Sequence, residues 1–192
     1  MNETSDISPR DRIIETALHL FYKQGYLATG INQVIAESNV AKATFYSHFP
    51  SKDSLCVAYL QARHGIWMKW LKDNTERHDS AKKRLFAIFT FLKDWMTECE
   101  FRGCAFLNIA SEIPSINSEI RNEVVLHKDS LQRYVLKEVD AMIVEDKALS
   151  HLDSQQTANM VYVLIEGAIA SSQNYHDTWP ITAAQDAVKR LL

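Results

Sequence analysis

Apolar residues recur at three- and four-residue steps through most of the chain, and alternating β-branched runs are few. This pattern predicts an almost all-helical protein. Ile13, Ile14, Ala17, Leu18 and Phe21 form one such stripe between Pro9 and Gln24. Ser8 is placed to cap this helix, and Pro9 sits at its first position, where a missing N–H costs nothing. Gly25 is expected to close it as a left-handed C-cap. Two shorter patterns follow. The first puts Ile31, Val34 and Ile35 on one face; the second does so with Val40, Phe45 and Phe49. Between them lies a polar turn, Glu37-Ser38-Asn39. Isolated helices below ~12–15 residues are marginal in water, so both must bury their apolar sides against each other and against the first helix. A short helix, a tight turn and a second short helix make a helix-turn-helix.

Further along, Leu55, Ala58, Tyr59, Ala62, Ile66 and Leu71 outline a fourth helix starting at Ser51 and reaching Leu71 or beyond. Polar residues from Asp73 to Ser80 break the pattern. A fifth helix, Ser80 to Cys99, carries Phe86, Phe89, Phe91 and Trp95. The segment Phe101 to Ile113 follows and ends at Pro114. A long helix from about Asn117 to Val144 presents Ile120, Val124, Leu131, Val135 and Met142. After a connection from Glu145 to Asp153, helices from Ser154 to Asn174 and from Pro180 to Leu192 close the chain. Residues 1 to 8 are expected to be disordered, as short polar termini are. The fold class is therefore all-α, with a three-helix helix-turn-helix domain at residues 1–55 and a larger helical bundle at 56–192, joined through the fourth helix.

The polar side of the second short helix carries the chemistry. Lys42, Ala43, Thr44, Tyr46, Ser47 and His48 combine small, hydroxyl, phenol and cationic groups. Small and polar residues at the N-terminal end of a recognition helix can reach base edges, while hydroxyls and cations further along hold phosphates. Lys42, Ala43 and Thr44 are thus candidates for base contact, with Asn32 or Gln33 assisting. Thr29, Tyr46, His48 and Lys52 are candidates for phosphate contact. Thr29 has a second reading, as a cap for the helix that Thr29-Gly30 opens. Pro50 stops the recognition helix, and Ser51 can cap the next one with Lys52 in its first turn, a setting that suits an anion.

The run Val40-Ala41-Lys42-Ala43-Thr44-Phe45-Tyr46-Ser47-His48-Phe49-Pro50-Ser51-Lys52-Asp53-Ser54-Leu55 resembles the signature of TetR-family (tetracycline-repressor-like) transcriptional regulators. The resemblance implies a homodimer that binds a palindromic double-stranded DNA operator and is released by a small-molecule effector. It also implies that the larger domain binds the effector and dimerises. Asn39 stands where the family usually has Gly, which is tolerable because Asn visits the left-handed region more readily than most residues. Ala41 replaces a common Ser cap. Gly103-Cys104, Phe106, Asn108 and Glu112 also resemble the start of the effector-binding region in one branch of the family.

Composition adds bounds more than direction. The 192 residues are 46% hydrophobic with five Gly and four Pro, enough for a real core and in keeping with helices. Net charge is −3. Even residues 8 to 55 carry only five cations (Arg10, Arg12, Lys23, Lys42, Lys52) against four carboxylates (Asp11, Glu15, Glu37, Asp53). A DNA-binding module is usually more basic, so the nucleic-acid reading rests on where the charges fall. Few phosphate contacts per subunit imply a modest salt dependence. No apolar run approaches the ~18 residues of a membrane span. The N-terminus is acidic and polar, unlike a signal peptide, and a cytoplasmic setting is expected.

Other chemistries find little support. Among the seven histidines, none follows a Glu by three residues, as a di-iron bundle would need; Glu123 and His127 are four apart. Gly-x-Ser-x-Gly, His-x-x-x-His and phosphate-cradling loops are missing, so no enzyme, cofactor or metal is expected. The alternative to a regulator is an all-helical small-molecule-binding or interaction protein. Cys56, Cys99 and Cys104 match no zinc spacing; they are core hydrophobes or, with Arg102 near Cys99 and Cys104, a thiol sensor. An effector pocket is expected from Trp67, Trp70, Trp95 and Phe106 as apolar wall, with Asn108, Glu112, Tyr162 and Glu166 as polar groups. Two buried carboxylates there would favour a cationic or hydrogen-bond-donating ligand. Dimerisation is expected through the last two helices, where Met160, Val161, Val163, Leu164, Ala168, Ile181, Ala184, Val188 and Leu191 exceed the needs of one small core.

Overall fold

The computed structural model describes residues 7–192, and every regular element among them is helical. The order is α1 (Pro9–Gln24), α2 (Ile31–Glu37), α3 (Lys42–His48), α4 (Lys52–Thr75), α5 (Ala81–Glu98), α6 (Ala105–Glu112), α7 (Glu119–Glu145), a 3₁₀ turn (Lys147–Leu149), α8 (Ser154–Tyr175) and α9 (Trp179–Leu191). The expected disorder at residues 1 to 8 falls, for its first six residues, outside the described residues. The chain divides into two compact units. One runs to Gly65 and takes in Ala105–Val124; the other comprises Ile66–Cys104 and Val125–Leu192.

In the first unit, α1 buries Ile13, Ala17, Leu20 and Phe21. Its partners are α2 and α3, which contribute Val34 and Phe45. Two seven-residue helices are held in shape by this wall, as their length requires. Ser8 caps α1 by accepting from the Asp11 amide at 3.2 Å. Gly25 departs from the expected left-handed cap: at φ 98°, ψ 159° it lies in the extended positive-φ region that only glycine populates readily. Asn39, in contrast, is left-handed at φ 52°, so its amide side-chain chemistry replaces glycine in the turn. Ser51 and Ser54 cap the start of α4 reciprocally, each amide donating to the other's hydroxyl at 3.1 and 3.0 Å. Leu55, Cys56, Ala58, Tyr59 and Leu60 of α4 are buried, as are Ala105, Phe106 and Ile109 of α6.

In the second unit, α5 packs against α8 and α9, and α8 against α9. Leu85, Ile88, Phe89 and Leu92 of α5 are fully buried, with Val161 and Ile165 of α8 and Ile181 and Val188 of α9. Glu138 is fully buried and accepts from Arg84 Nε at 2.7 Å, the kind of paired charge an interior tolerates. The apolar residues expected at a dimer surface separate by burial, with Leu164 and Leu191 half-buried between two sets. Val161, Ala168, Ile181, Ala184 and Val188 face inward. Met160 (39% exposed) and Val163 (65%) face outward, joined by Trp179 (52%). Helical period explains the division: Val161 and Val163 are about 200° apart around the axis.

Candidate nucleic-acid interface

Phe45 and Phe49 anchor α3 from below, with ring centroids 6.1 Å apart, and the Arg10 guanidinium sits 5.6 Å from the Phe49 ring. Anchoring one side of so short a helix turns the other outward. Lys42, Ala43, Tyr46 and His48 are exposed, and Thr44 is half-buried. Neither Lys42 nor His48 enters an ion pair or a hydrogen bond among the described residues. Ala41, in the extended conformation at φ −68°, offers no side-chain cap. The first amides of α3 are therefore not covered by a cap. On α2, Asn32 is exposed, whereas the Gln33 amide donates to Glu37 one turn on at 2.9 Å.

The Thr29 side chain neither caps α2 nor reaches the surface. It is fully buried, and its hydroxyl donates to the Gly25 carbonyl at 2.7 Å. Gly30, not Thr29, occupies the N-cap of α2, with no side-chain cap bond. The hydroxyl fastens the α1–α2 turn and is not presented to a phosphate.

Lys52 stands at the first position of α4, half-buried. Its Nζ lies 4.3 Å from the Tyr26 ring centroid and 3.5 Å from the Leu27 carbonyl. Burial lowers the ammonium pKa from its ordinary value, against the pull of nearby acidic groups that include Glu112 and Asp53. Tyr26 donates its hydroxyl to Asp53 in a short bond, and burial together with that carboxylate pushes the phenol far up. Cys56, next to this cluster, is pushed up to about 12, first by burial.

The expected pocket residues fall in both units. Phe106, Asn108 and Glu112 belong to the first; Trp67, Trp70, Trp95, Tyr162 and Glu166 belong to the second. Phe106 is buried. The Glu112 carboxylate accepts from the amides of Tyr26 at 3.2 Å and Leu27 at 2.6 Å. Trp70 is 42% exposed and stands apart as a surface residue. Trp67 and Trp95 meet edge to face at 5.7 Å, and His127 approaches Trp67 at 5.2 Å. Glu166 is paired with Lys128 at 2.6 Å, and the same ammonium lies 3.4 Å from Cys104 Sγ. Burial opposes the Lys128 charge, but the neighbouring thiol and carboxylate outweigh it and raise its pKa. Glu112 and one oxygen of Glu166 are thus engaged within the protein. Among these pocket residues, the groups buried without a hydrogen-bond partner are the indole N–H of Trp67 and of Trp95 and one oxygen of Glu166.

Lys128 and Tyr26 are not among the residues that the sequence singles out, and Asp53 enters there only as one charge among several. Tyr26 carries a usable signal, as an aromatic directly after a glycine that closes a helix. Lys128 carries none, because its partners are 24 and 38 residues away.

Sequence comparison gives two matches along the chain. The family described as "Bacterial regulatory proteins, tetR family" matches residues 13–59, and "Tetracyclin repressor-like, C-terminal domain" matches residues 81–188. The HTH-type transcriptional regulator LmrA of Bacillus subtilis is 26% identical over 193 residues, covering 95% of this chain and 96% of that protein. The HTH-type transcriptional repressor NemR of Escherichia coli is 20% identical over 64% of this chain and 62% of its own length. Among solved structures, a TetR-family transcriptional regulator from Streptomyces coelicolor superposes with a TM-score of 0.83 at 25% identity, covering 94% of this chain and 86% of that one. The reduced form of E. coli NemR superposes at 0.81 over 96% and 98% of the two chains; at 17% identity this speaks to the fold.

Proposed function

Since the chain belongs to the TetR family of bacterial regulatory proteins and is a DNA-binding transcriptional regulator, we propose that it is a repressor acting as a homodimer on a palindromic operator, from which a small-molecule effector releases it. Residues 1–55 read DNA, and residues 56–192 bind the effector and dimerise, in the cytoplasm. No helix among the described residues is long and apolar enough to cross a membrane.

The observation that carries this reading is the outward side of α3, where Lys42 and His48 have no ion pair or hydrogen bond among the described residues while Phe45 beneath them is fully buried. In the major groove, Lys42, Ala43 and Thr44 meet base edges, with Asn32 or Gln33 assisting; Tyr46, His48 and Lys52 hold phosphates. Gln33 must first exchange its bond to Glu37. Two copies present their α3 helices about 34 Å apart, one turn of DNA.

The outward residues of α8 and α9 support dimerisation. They line two neighbouring grooves that share Val163 and Leu164, one of about 570 Å³ and one of about 320 Å³. An exposed apolar face of this kind on a DNA-reading protein is best explained by a second copy. The effector reading rests on the second unit. Among the described residues the buried Trp67 and Trp95 N–H donors lack acceptors and one Glu166 oxygen lacks a donor, which together favour an aromatic ligand that both accepts and donates hydrogen bonds.

Selection of bound sequences from a random duplex pool tests the reading. A palindrome with half-site centres one helical turn apart is expected. Enrichment of no sequence would favour the rival, a helical small-molecule-binding or interaction protein.

A further inference from the structure

The Glu112 carboxylate has a task within the first compact unit that the DNA-binding reading does not assign. It lies at the end of α6 and takes both amides of the Tyr26-Leu27 turn, at 3.2 and 2.6 Å. That turn is where α1 ends and the run toward α2 begins. Gly25 opens it with φ +98°, and a Cβ there would stand 3.0 Å from the same carboxylate. The positive φ is what calls for glycine at this position, and a side chain there would also crowd the carboxylate. The carboxylate is itself held in place. Arg121 of α7 donates to the carbonyls of Ala110 at 3.1 Å and Ile113 at 3.0 Å, fixing the last turn of α6. Gln61 of α4 donates to Glu123 of α7 at 2.8 Å.

The turn in question also sets Lys52. The Lys52 ammonium rests over the Tyr26 ring and reaches the Leu27 carbonyl, while the Tyr26 hydroxyl binds Asp53, the next residue on α4. Residues 26 and 27 thus present their amides to Glu112, and a ring and a carbonyl to Lys52. We infer that Glu112 is a positioning residue for DNA binding: by clamping the Tyr26-Leu27 amides it holds the platform from which Lys52 meets a phosphate. The inference rests on the reading of Lys52 as a phosphate contact. Charge-assisted bonds from backbone amides to a carboxylate are among the stronger and better-aligned hydrogen bonds, so two of them on consecutive residues fix the turn's orientation.

Charge alone would act with the opposite sign. Glu112 lies close enough to Lys52 to act on its charge, so removing the carboxylate would lessen repulsion of DNA and raise affinity. The two effects are separable. In full-length protein with a selected operator duplex, Glu112→Gln, which can accept at only one amide oxygen, is expected to weaken binding by about tenfold, the equivalent of roughly one charged hydrogen bond. The slope of log affinity against log salt should become shallower by about 0.9 for each phosphate no longer held. Lys52→Gln should do the same, and the double variant should be no weaker than Lys52→Gln alone. Glu112→Asp, which keeps the charge but shortens the reach, should follow Glu112→Gln, and circular dichroism melts report whether each variant is folded at the assay temperature. Equal or tighter binding by folded Glu112→Gln or Glu112→Asp, an unchanged salt slope, or additive losses in the double variant would overturn the inference. Absence of salt-dependent duplex binding by the wild-type chain would instead remove the DNA-contact reading on which it stands.

Discussion

Val163→Arg tests the dimer surface in a way the monomer fold should survive. Val163 is 65% exposed and borders both grooves on α8 and α9, while the inward positions Val161 and Ile165 fill the core. Burying a valine fully is worth about 1.5 kcal/mol, so covering the exposed part in two protomers contributes about 2 kcal/mol. Arginine forfeits that and brings two guanidinium groups into a closing apolar surface without partners. Each costs several kcal/mol after relaxation, though part is recovered as the long side chains bend their charges toward water. The net penalty is on the order of 5 kcal/mol, or about 10³–10⁴ in the dimer dissociation constant. Sedimentation velocity over a micromolar concentration series should show a wild-type dimer and a monomeric variant with an unchanged helical circular dichroism spectrum. A Val163→Arg chain that stays dimeric, or a wild type that sediments as a monomer, would refute the reasoning.

Phe45→Ala should destabilise the first unit by about 3–5 kcal/mol, because the ring is fully buried and its cavity cannot close around seven-residue helices; calorimetric unfolding and loss of duplex binding would report it. Alkaline stability should depend on Cys56. Its thiol, near 9 in the unfolded chain, is pushed up to about 12 by burial, so the folded state holds a proton that the unfolded state has released. The stabilisation is therefore complete below about pH 9 and is lost toward pH 12, at up to about 1.4 kcal/mol per pH unit. Chemical denaturation between pH 8 and 11 should show this slope flattened in Cys56→Ala.

Much of the architecture could be read from the sequence because it follows from local patterns. The Pro9 start, the Ser8 and Ser51 caps and the apolar stripe of α1 each depend on residues within one or two turns. The same locality made α3 legible, since Phe45 and Phe49 on one side leave Lys42, Tyr46 and His48 on the other. What escaped depends on partners distant in the chain. Thr29 looked like a cap, but its hydroxyl binds Gly25 in a turn whose unusual backbone no propensity announces. Glu112 looked like a pocket acid, and its partners lie 85 and 86 residues earlier. Glu166 was readable as buried, but not Lys128 as its neutralising partner. Periodicity also groups every apolar residue of α8 and α9 together, and only packing separates Val161 from Val163.

The central claim is that α3 reads bases at its start and holds phosphates further along. The most direct measurement compares Thr44→Ala and His48→Ala by fluorescence anisotropy, on the selected operator and on a random duplex, across a salt series. Thr44→Ala should weaken operator binding while leaving random-duplex affinity and salt slope intact. His48→Ala should weaken both duplexes alike and make the slope shallower. If both variants bind both duplexes as the wild type does, α3 is not the reading helix and the account fails.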